Sequence, residues 1–279
     1  HQAGFKPFLS FYQATMANNV LSKKYYSDHK SDTFPNRVAE KIFIRKDYPD
    51  SIIHIILDTP LKTPKHYEYS DLGFILLSRI VKKISGEPLD QYVRSRFYLP
   101  MGMGNTGYKP REWYPMNKIA PTEDDKLFRR QVVQGDVHDP AAAMLGGVSG
   151  HAGLFSNTTD IAKLLQMFLQ KGEYGGVRYL SEKTIDEFTR CQFCESNNRR
   201  GLGFDKPSVG GGGPVCDEAS ANSYGHSGFT GTYFWVDPQH DLIYIFLSNR
   251  VHTDSENKKI TSMSIRSKIH SVIYKSIQK

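Results

Sequence analysis

The stretch Tyr67-Glu68-Tyr69-Ser70-Asp71-Leu72-Gly73-Phe74-Ile75-Leu76-Leu77 sets polar, cap-forming side chains directly ahead of an apolar run with helical spacing. Ser70 and Asp71 are N-cap residue types. Leu72, Ile75, Leu76, Ile80 and Ile84 recur at the 3/4 spacing of a helix with one buried face. Gly86 supplies the stop. Tyr69 is thereby expected just ahead of a helix N-terminus, where the positive end of the macrodipole favours an anion and eases loss of the phenolic proton. Alone, the pattern describes equally well a tyrosine packed beside a cap.

Two further stretches bear on that tyrosine. Gly225-His226-Ser227-Gly228-Phe229-Thr230-Gly231-Thr232 reads as a turn leading into the alternating, aromatic run Tyr233 to Val236. After Asp237-Pro238-Gln239-His240-Asp241 comes the apolar run Leu242 to Leu247, so two paired strands are predicted. Between these anchors lies Gly146-Gly147-Val148-Ser149-Gly150-His151-Ala152-Gly153-Leu154-Phe155-Ser156, followed by a strongly periodic helix.

Taken together and in this order, the three stretches resemble the serine β-lactamase-related family, which includes class C β-lactamases, low-molecular-weight penicillin-binding proteins, D-aminopeptidases and related esterases. In that family a Tyr-x-Asn motif at a helix start supplies the general base, and a Lys/His-x-Gly motif opens the strand beside the reacting carbonyl. Tyr69 and Asp71 fall on the first motif, His226 and Gly228 on the second. The resemblance implies that the backbone N–H of Phe229 is one of two oxyanion-hole donors. Thr230 is a further candidate on the substrate side, and His151, in its Gly-rich loop, is either a substrate contact or a solvated or hydrogen-bonded residue. Residues 137–140 and 199–207 bring the chain nearest to the β-lactamase-like module fused behind the family 3 β-N-acetylglucosaminidase domain of some bacterial cell-envelope proteins. The likeness runs from His1 to the C-terminal helix.

The resemblance implies an α+β fold, in which an antiparallel sheet is covered by a C-terminal helix and accompanied by a mainly helical lobe. Residues 1–279 are expected to form one domain, incomplete at its N-terminus: 1–200 the helical lobe and its connecting loops, 201–279 the sheet strands and last helix. The family's nucleophile lies in a Ser-x-x-Lys motif at the start of a buried helix, ahead of a His-x-x-Gly segment that His1-Gln2-Ala3-Gly4 resembles. The chain is thus expected to begin downstream of the nucleophile, to lack the N-terminal strands, and to be inactive as cut. Ser27 to Lys30 lies in a polar run and Ser255 to Lys258 in a charged loop, so neither string has the context of a nucleophile helix. A sheet without its N-terminal strands is expected to expose an edge, which makes a homodimer through that surface an expectation too.

Two departures from the family pattern concern charge. Asp71 stands where the family has asparagine, and an ionised carboxylate only accepts hydrogen bonds. His226 stands where true β-lactamases have lysine, and it titrates near neutrality. The two are expected to pair and to favour a peptidase, amidase or esterase over an antibiotic-degrading enzyme. The competing reading is a non-catalytic binding or scaffolding module beside a glycoside hydrolase partner. Cell-wall-type peptides, amides or esters are the implied substrates and the periplasm or cell envelope the implied location. No cofactor or metal is implied.

The bulk properties agree with a globular chain. Its 279 residues, 39% hydrophobic and 23% charged, suffice for one large domain or two lobes around a shared site. No apolar run approaches the roughly 18 residues of a membrane helix. The first residue is histidine, which suggests a fragment or a processed product. The net charge of +7 favours anionic partners, but the basic residues are scattered, without the basic helix or aromatic interleaving of a nucleic-acid binder. Cys191 and Cys194 have a CxxC spacing, which with Cys216 and a histidine could form a zinc site. Lacking a second tight pair, they are expected to be unliganded thiols.

Elsewhere, Ile52 to Leu57 is an apolar block that is either a strand or a buried helical turn, and a helix is expected around Leu89 to Tyr98. Residues 100–135 read as irregular surface connections. The glycines between Asp139 and Phe155 permit close backbone approach, and His138 flanks them. Asn157 to Gln170 is predicted helical, with Ile161, Leu164, Leu165 and Phe168 on one stripe. Ser181 caps a shorter helix to Phe188, the glycine run from Val209 is a flexible loop, and Ile260, Met263, Ile269, Val272, Ile273 and Ile277 mark a terminal helix.

Overall fold

The helix expected after Ser70 runs over Leu72–Ser85 and ends at Gly86, whose φ of +77° is the left-handed cap conformation that glycine adopts without strain. This computed structural model describes residues 1–63, 66–196, 198–208 and 213–277. Of the glycine-rich run expected to be a flexible loop, residues 209–212 lie outside the described ones. The chain clusters into two units. One comprises His1–Arg96, Gly107–Phe155 and His252–Ser255; the other comprises Phe97–Thr106, Ser156–Val251 and Glu256–Lys279.

The first unit opens with β1 (Met16–Ala17) and β2 (Val20–Leu21), a two-residue-strand hairpin, then β3 (Tyr26–Ser27), β4 (Asn36–Ala39) and β5 (Ile42–Ile44), an antiparallel sheet in the order β3-β5-β4. Helices α1 (Tyr48–Asp58), α2 (Leu72–Ser85) and α3 (Leu89–Val93) follow, the last continuing as a π turn over Arg94–Tyr98. The apolar block left open between strand and helix lies in α1. Ile52 and Ile56, one turn apart, are fully buried while Ile55 and Leu57 are exposed, which is the helical period. Each such burial is worth about 1.5–3 kcal/mol. The core gathers Phe11, Val38, Ile42, Ile44, Ile52, Ile56, Leu72, Ile75, Phe128 and Met144.

Two expectations in this unit need correction. The apolar face of α2 is buried only at its first turns: Leu72 and Ile75 are inside, whereas Ile80 and Ile84 are 47% and 81% exposed. Residues 100–135 are not merely surface connections. They contain the hairpin β6 (Pro121–Asp125) and β7 (Gln131–Gln134), built around a buried arginine. Arg129 donates from Nε to Asp125 (2.7 Å), from Nη1 to Val137 O (2.6 Å) and from Nη2 to His138 O (2.7 Å) and to Glu123. Charge and donors are thus satisfied together, which a buried guanidinium requires. The short helix α4 (Pro140–Met144) closes the unit's helices.

The second unit is a sheet between two helices. Helix α5 (Thr158–Leu169) is capped by Asn157, which accepts from Asp160 N at 2.9 Å. The hairpin β8 (Glu173–Tyr174) and β9 (Val177–Arg178) leads to α6 (Glu182–Thr189), capped by Ser181 as expected. The sheet β10 (Tyr224–Ser227), β11 (Tyr233–Asp237) and β12 (Leu242–Phe246) is antiparallel in that order, with Trp235 opposite Gly225 and Tyr244. Alternation in β11 and β12 is apolar on both faces. Tyr233, Trp235 and Tyr244 pack with Tyr274 of the terminal helix, while Val236, Phe234, Ile243 and Ile245 pack with Leu165 and Phe168 of α5.

The C-terminal helix covers the sheet, through Ile273 of the expected stripe and through residues not expected. It is broken into α7 (Lys259–Ser262) and α8 (Ile265–Ile277), with Ser264 at φ +52° between them. His270 and Tyr274 are the buried side chains, and Met263, Ile269, Val272 and Ile277 are exposed. The thiols also differ from expectation. Cys191 and Cys194 are joined in a disulfide, and Cys216 is the buried free cysteine, its thiol pushed up to about 12 chiefly by burial. Among the described residues no cluster of metal-ligand side chains is present.

Candidate active site

Two motif-bearing segments are built separately, one in each unit. In the first, residues 66–71 are laced to the start of the chain: Glu68 N donates to His1 O (3.0 Å), Asp71 N to Pro7 O (3.1 Å), and Ser70 Oγ to Lys6 O (2.7 Å). Ser70 also accepts from Leu72 N at 3.2 Å and so does the capping itself, while the Asp71 side chain caps nothing. The cap function expected of the Ser70-Asp71 pair thus falls to the serine alone. Tyr69, three residues before the helix, is 43% exposed. Its ring stacks on His1 with centroids 4.2 Å apart, and His1 Nδ1 accepts from Ser70 N at 3.0 Å.

Behind this turn lies a buried polar chain. Asp139 caps α4, accepting from Ala142 N at 2.7 Å, and the same oxygen meets His151 Nε2 at 2.8 Å. His151 Nδ1 meets Ser149 Oγ at 2.8 Å, and Tyr108 OH donates to Ser149 O at 3.1 Å. The His151 side chain is only 4% exposed. Burial alone would lower its imidazole pKa, but the bond and charge of Asp139 and the charge of Asp71 outweigh burial and hold it above the usual range. Burial would raise Asp139, yet His151 holds it below the carboxylate norm. Asp71 is raised, first by burial; His151 pulls it down and Asp139 pushes it up. Gly150 is forced by contact: a Cβ there would overlap the carbonyl oxygen of Phe74 in the first turn of α2.

In the second unit His226 sits on β10, half-buried. Its Nδ1 lies 2.9 Å from Ser227 O, and its Nε2 lies 3.1 Å from Arg200 Nη1. A carbonyl only accepts and a guanidinium only donates, so the proton is on Nδ1 and Nε2 is the acceptor. Burial first, and then Arg200, lower its pKa, so His226 is neutral at pH 7. Arg200 is placed by Asp205, 3.3 Å from its Nη2, and Asp205 exchanges backbone hydrogen bonds with Gly225 at 2.7 and 3.0 Å. Beyond β10 the chain turns: Gly231 N donates to Gly228 O (3.0 Å), Gly228 N to Thr232 O (2.8 Å), and Arg250 N to Thr230 O (2.8 Å). Phe229 is 64% exposed, with the Arg250 guanidinium 4.3 Å over its ring and Arg250 Nε donating to its carbonyl at 2.7 Å.

The expected exchange of charge between Asp71 and His226 therefore meets a local competitor in each unit. Asp71 feels His151 and Asp139, and His226 feels Arg200 and Asp205. Sequence reasoning did not single out Asp139, Ser149 or Arg200. The Asp139-Pro140 pair is a helix-start signal, but the partners of Arg200 and Asp139 lie 26 and 12 residues away, beyond any local pattern. Neither Ser-x-x-Lys string opens a helix. Ser27 ends the short β3, its hydroxyl 3.3 Å from His29 Nδ1, and Ser255 to Lys258 precede α7.

The Beta-lactamase family profile matches residues 1–264. An N-acetylmuramyl-L-alanine amidase of Bacillus subtilis (strain 168) is 34% identical over 267 residues, 91% of this chain and 55% of that protein. A Salmonella agona (strain SL483) protein provisionally named a D-alanyl-D-alanine carboxypeptidase is 36% identical over 247 residues, 81% of this chain and 55% of its own. The chain thus spans about half the length of these curated relatives. Among solved structures, a penicillin-binding protein from Bacillus halodurans superposes with a TM-score of 0.55 at 17% identity, covering 78% of this chain and 62% of that one, which speaks to the fold. With the α+β architecture and the profile spanning nearly all of the sequence, the chain belongs to the β-lactamase family.

Proposed function

We propose that the chain is the greater part of an acyl-transfer hydrolase module, in which Tyr69 manages the proton of an upstream serine and the His226 strand lies along the acyl group. The observation that carries this reading is the Tyr69-Ser70-Asp71 turn. Tyr69 is 43% exposed while the backbone on either side is pinned by hydrogen bonds to residues 1–7. A titratable group held on a fixed turn is what proton transfer in acyl chemistry needs. The turn at Gly228 to Gly231 would supply an oxyanion donor from Phe229 N–H.

The substrate class follows the names of the two curated relatives, which denote amide bonds of muramyl and D-alanyl peptides. We propose cell-wall-type peptide, amide or ester substrates, in the cell envelope or periplasm. No helix among the described residues is long and apolar enough to cross a membrane. A family 3 glycoside hydrolase domain is a proposed neighbour in the parent chain.

The second reading, a non-catalytic binding module, has its own observation: neither Ser-x-x-Lys string opens a buried helix, Ser27 ending β3 and Lys258 standing at the N-cap of α7, which has no buried residue. Incubation with a fluorescent penicillin or phosphonate separates the two. A chain extended upstream of His1 to include a Ser-x-x-Lys helix labels covalently if the hydrolase reading holds, and residues 1–279 alone do not. Failure of the extended, folded chain to label with either probe favours the binding module.

A further inference from the structure

We propose that His151, clamped between Asp139 and Ser149, is the counter-charge of Asp71 and a positioning residue for the Tyr69-Ser70-Asp71 turn. The inference rests on the reading of Tyr69 as a site residue, and it assigns His151 a place behind that residue instead of against the substrate.

The argument begins with access. Both ring nitrogens of His151 are engaged, at 2.8 Å each, and 4% of its side chain is exposed, so the ring offers a ligand almost no surface. Its mount is rigid. Asp139 is fixed by the α4 cap, Ser149 O by the Tyr108 hydroxyl, and the carbonyls just before Asp139 by the buried Arg129. Gly150, between Ser149 and His151, abuts the carbonyl oxygen of Phe74, which presses the segment against the first turn of α2. Phe74 N in turn donates to Asp71 O at 3.0 Å. A short path of covalent bonds, one close backbone contact at Gly150 and one hydrogen bond therefore joins the imidazole to the turn that carries Tyr69.

The charges give this arrangement a purpose. Two carboxylates, Asp71 and Asp139, act on each other unfavourably and on His151 favourably. An imidazolium hydrogen-bonded to Asp139 opposes the repulsion that aspartate creates where the family motif has a neutral asparagine. Other titratable groups close by are His138, which acts on Asp139 and lies 3.0 Å from Glu123, and His1, stacked on Tyr69. Loss of the His151 proton leaves two like charges and loosens the Asp71 turn.

The test uses residues 1–279 as they stand and needs no turnover, so it is independent of whether the module hydrolyses anything. NMR titration follows the His151 ring, assigned by loss of its signal in His151→Gln, and the Tyr69 phenol carbon. The expected result is a His151 midpoint above 6.5 that falls by about one unit or more in Asp71→Asn, as removal of a nearby opposite charge dictates, with the His226 midpoint unmoved. His151→Gln should also shift the Tyr69 phenol resonance, while Ser149→Ala, which spares the charge, should leave the His151 midpoint above 6.5. A midpoint that ignores Asp71→Asn, or one below 6.5 in the parent chain, overturns the proposal. Asp71→Asn places the family's own residue at this position, and a folded spectrum from it secures the comparison if His151→Gln unfolds.

Discussion

Two histidines in this chain carry opposite perturbations, and each has a nameable cause. His226 is lowered by burial and by Arg200, so the unfolded chain binds its proton more readily than the folded one. Its stabilising contribution is full above the ordinary value near 6.5 and is lost as pH falls from there through the lowered midpoint. His151 is raised, so its contribution is full below about 6.5 and is lost as pH rises through the raised midpoint. Arg200→Gln should raise the His226 midpoint towards 6.5, read by NMR titration; a midpoint that stays put would show that burial alone sets it. At this scale the sequence displayed the motif residues Tyr69, Asp71, His226 and Gly228 plainly, because spacing within a motif is local. It hid Arg200 and Asp139, because what makes them matter is a partner reached through the fold. Gly150 lay between: its freedom from a Cβ was foreseeable, its contact with Phe74 O was not.

Among the elements, α8 shows how a periodic pattern can name a helix and miss its face. The expected stripe included Met263, Ile269 and Val272, yet the sheet presents a cage of Tyr233, Trp235 and Tyr244 that receives His270 and Tyr274. Their rings pack edge-to-face and tilted against that cage beside Ile273, and Tyr274 OH donates to Asp237 at 2.5 Å. The His270 imidazole is lowered to about 4 by burial, against which Asp237 and Glu218 act only weakly. A group protonated when unfolded and neutral when folded makes stability fall between about pH 6.5 and 4, by on the order of 3 kcal/mol if the whole shift is expressed. His270→Phe should flatten that part of the urea-denaturation profile; an unchanged acid slope would remove His270 as its source. The β6–β7 hairpin escaped the sequence reading for a related reason. Its first strand, Pro121–Asp125, carries three acidic residues, which the buried Arg129, together with His138 and Lys126, makes tolerable in the fold. By contrast α2, α5 and α6 were legible at their ends, since caps and stops are local chemistry.

For the molecule as a whole, family membership and the α+β architecture were readable because three motifs fall in family order along the sequence. The sheet's outer strands bear on assembly. Asp205 bridges to β10, whereas β12 pairs among the described residues with β11 alone, and an open strand edge favours pairing with a second chain. We propose a homodimer through that edge: sedimentation equilibrium should return about twice 31.7 kDa, and a 31.7 kDa species at every concentration would contradict it. The central proposal is that Tyr69 manages a proton in acyl transfer, and its most direct measurement is a crystal structure of the upstream-extended chain acylated by a penicillin or phosphonate. The account predicts the Tyr69 hydroxyl within about 3 Å of the seryl or leaving-group oxygen. An adduct whose reacting oxygens lie far from the Tyr69 hydroxyl would contradict it.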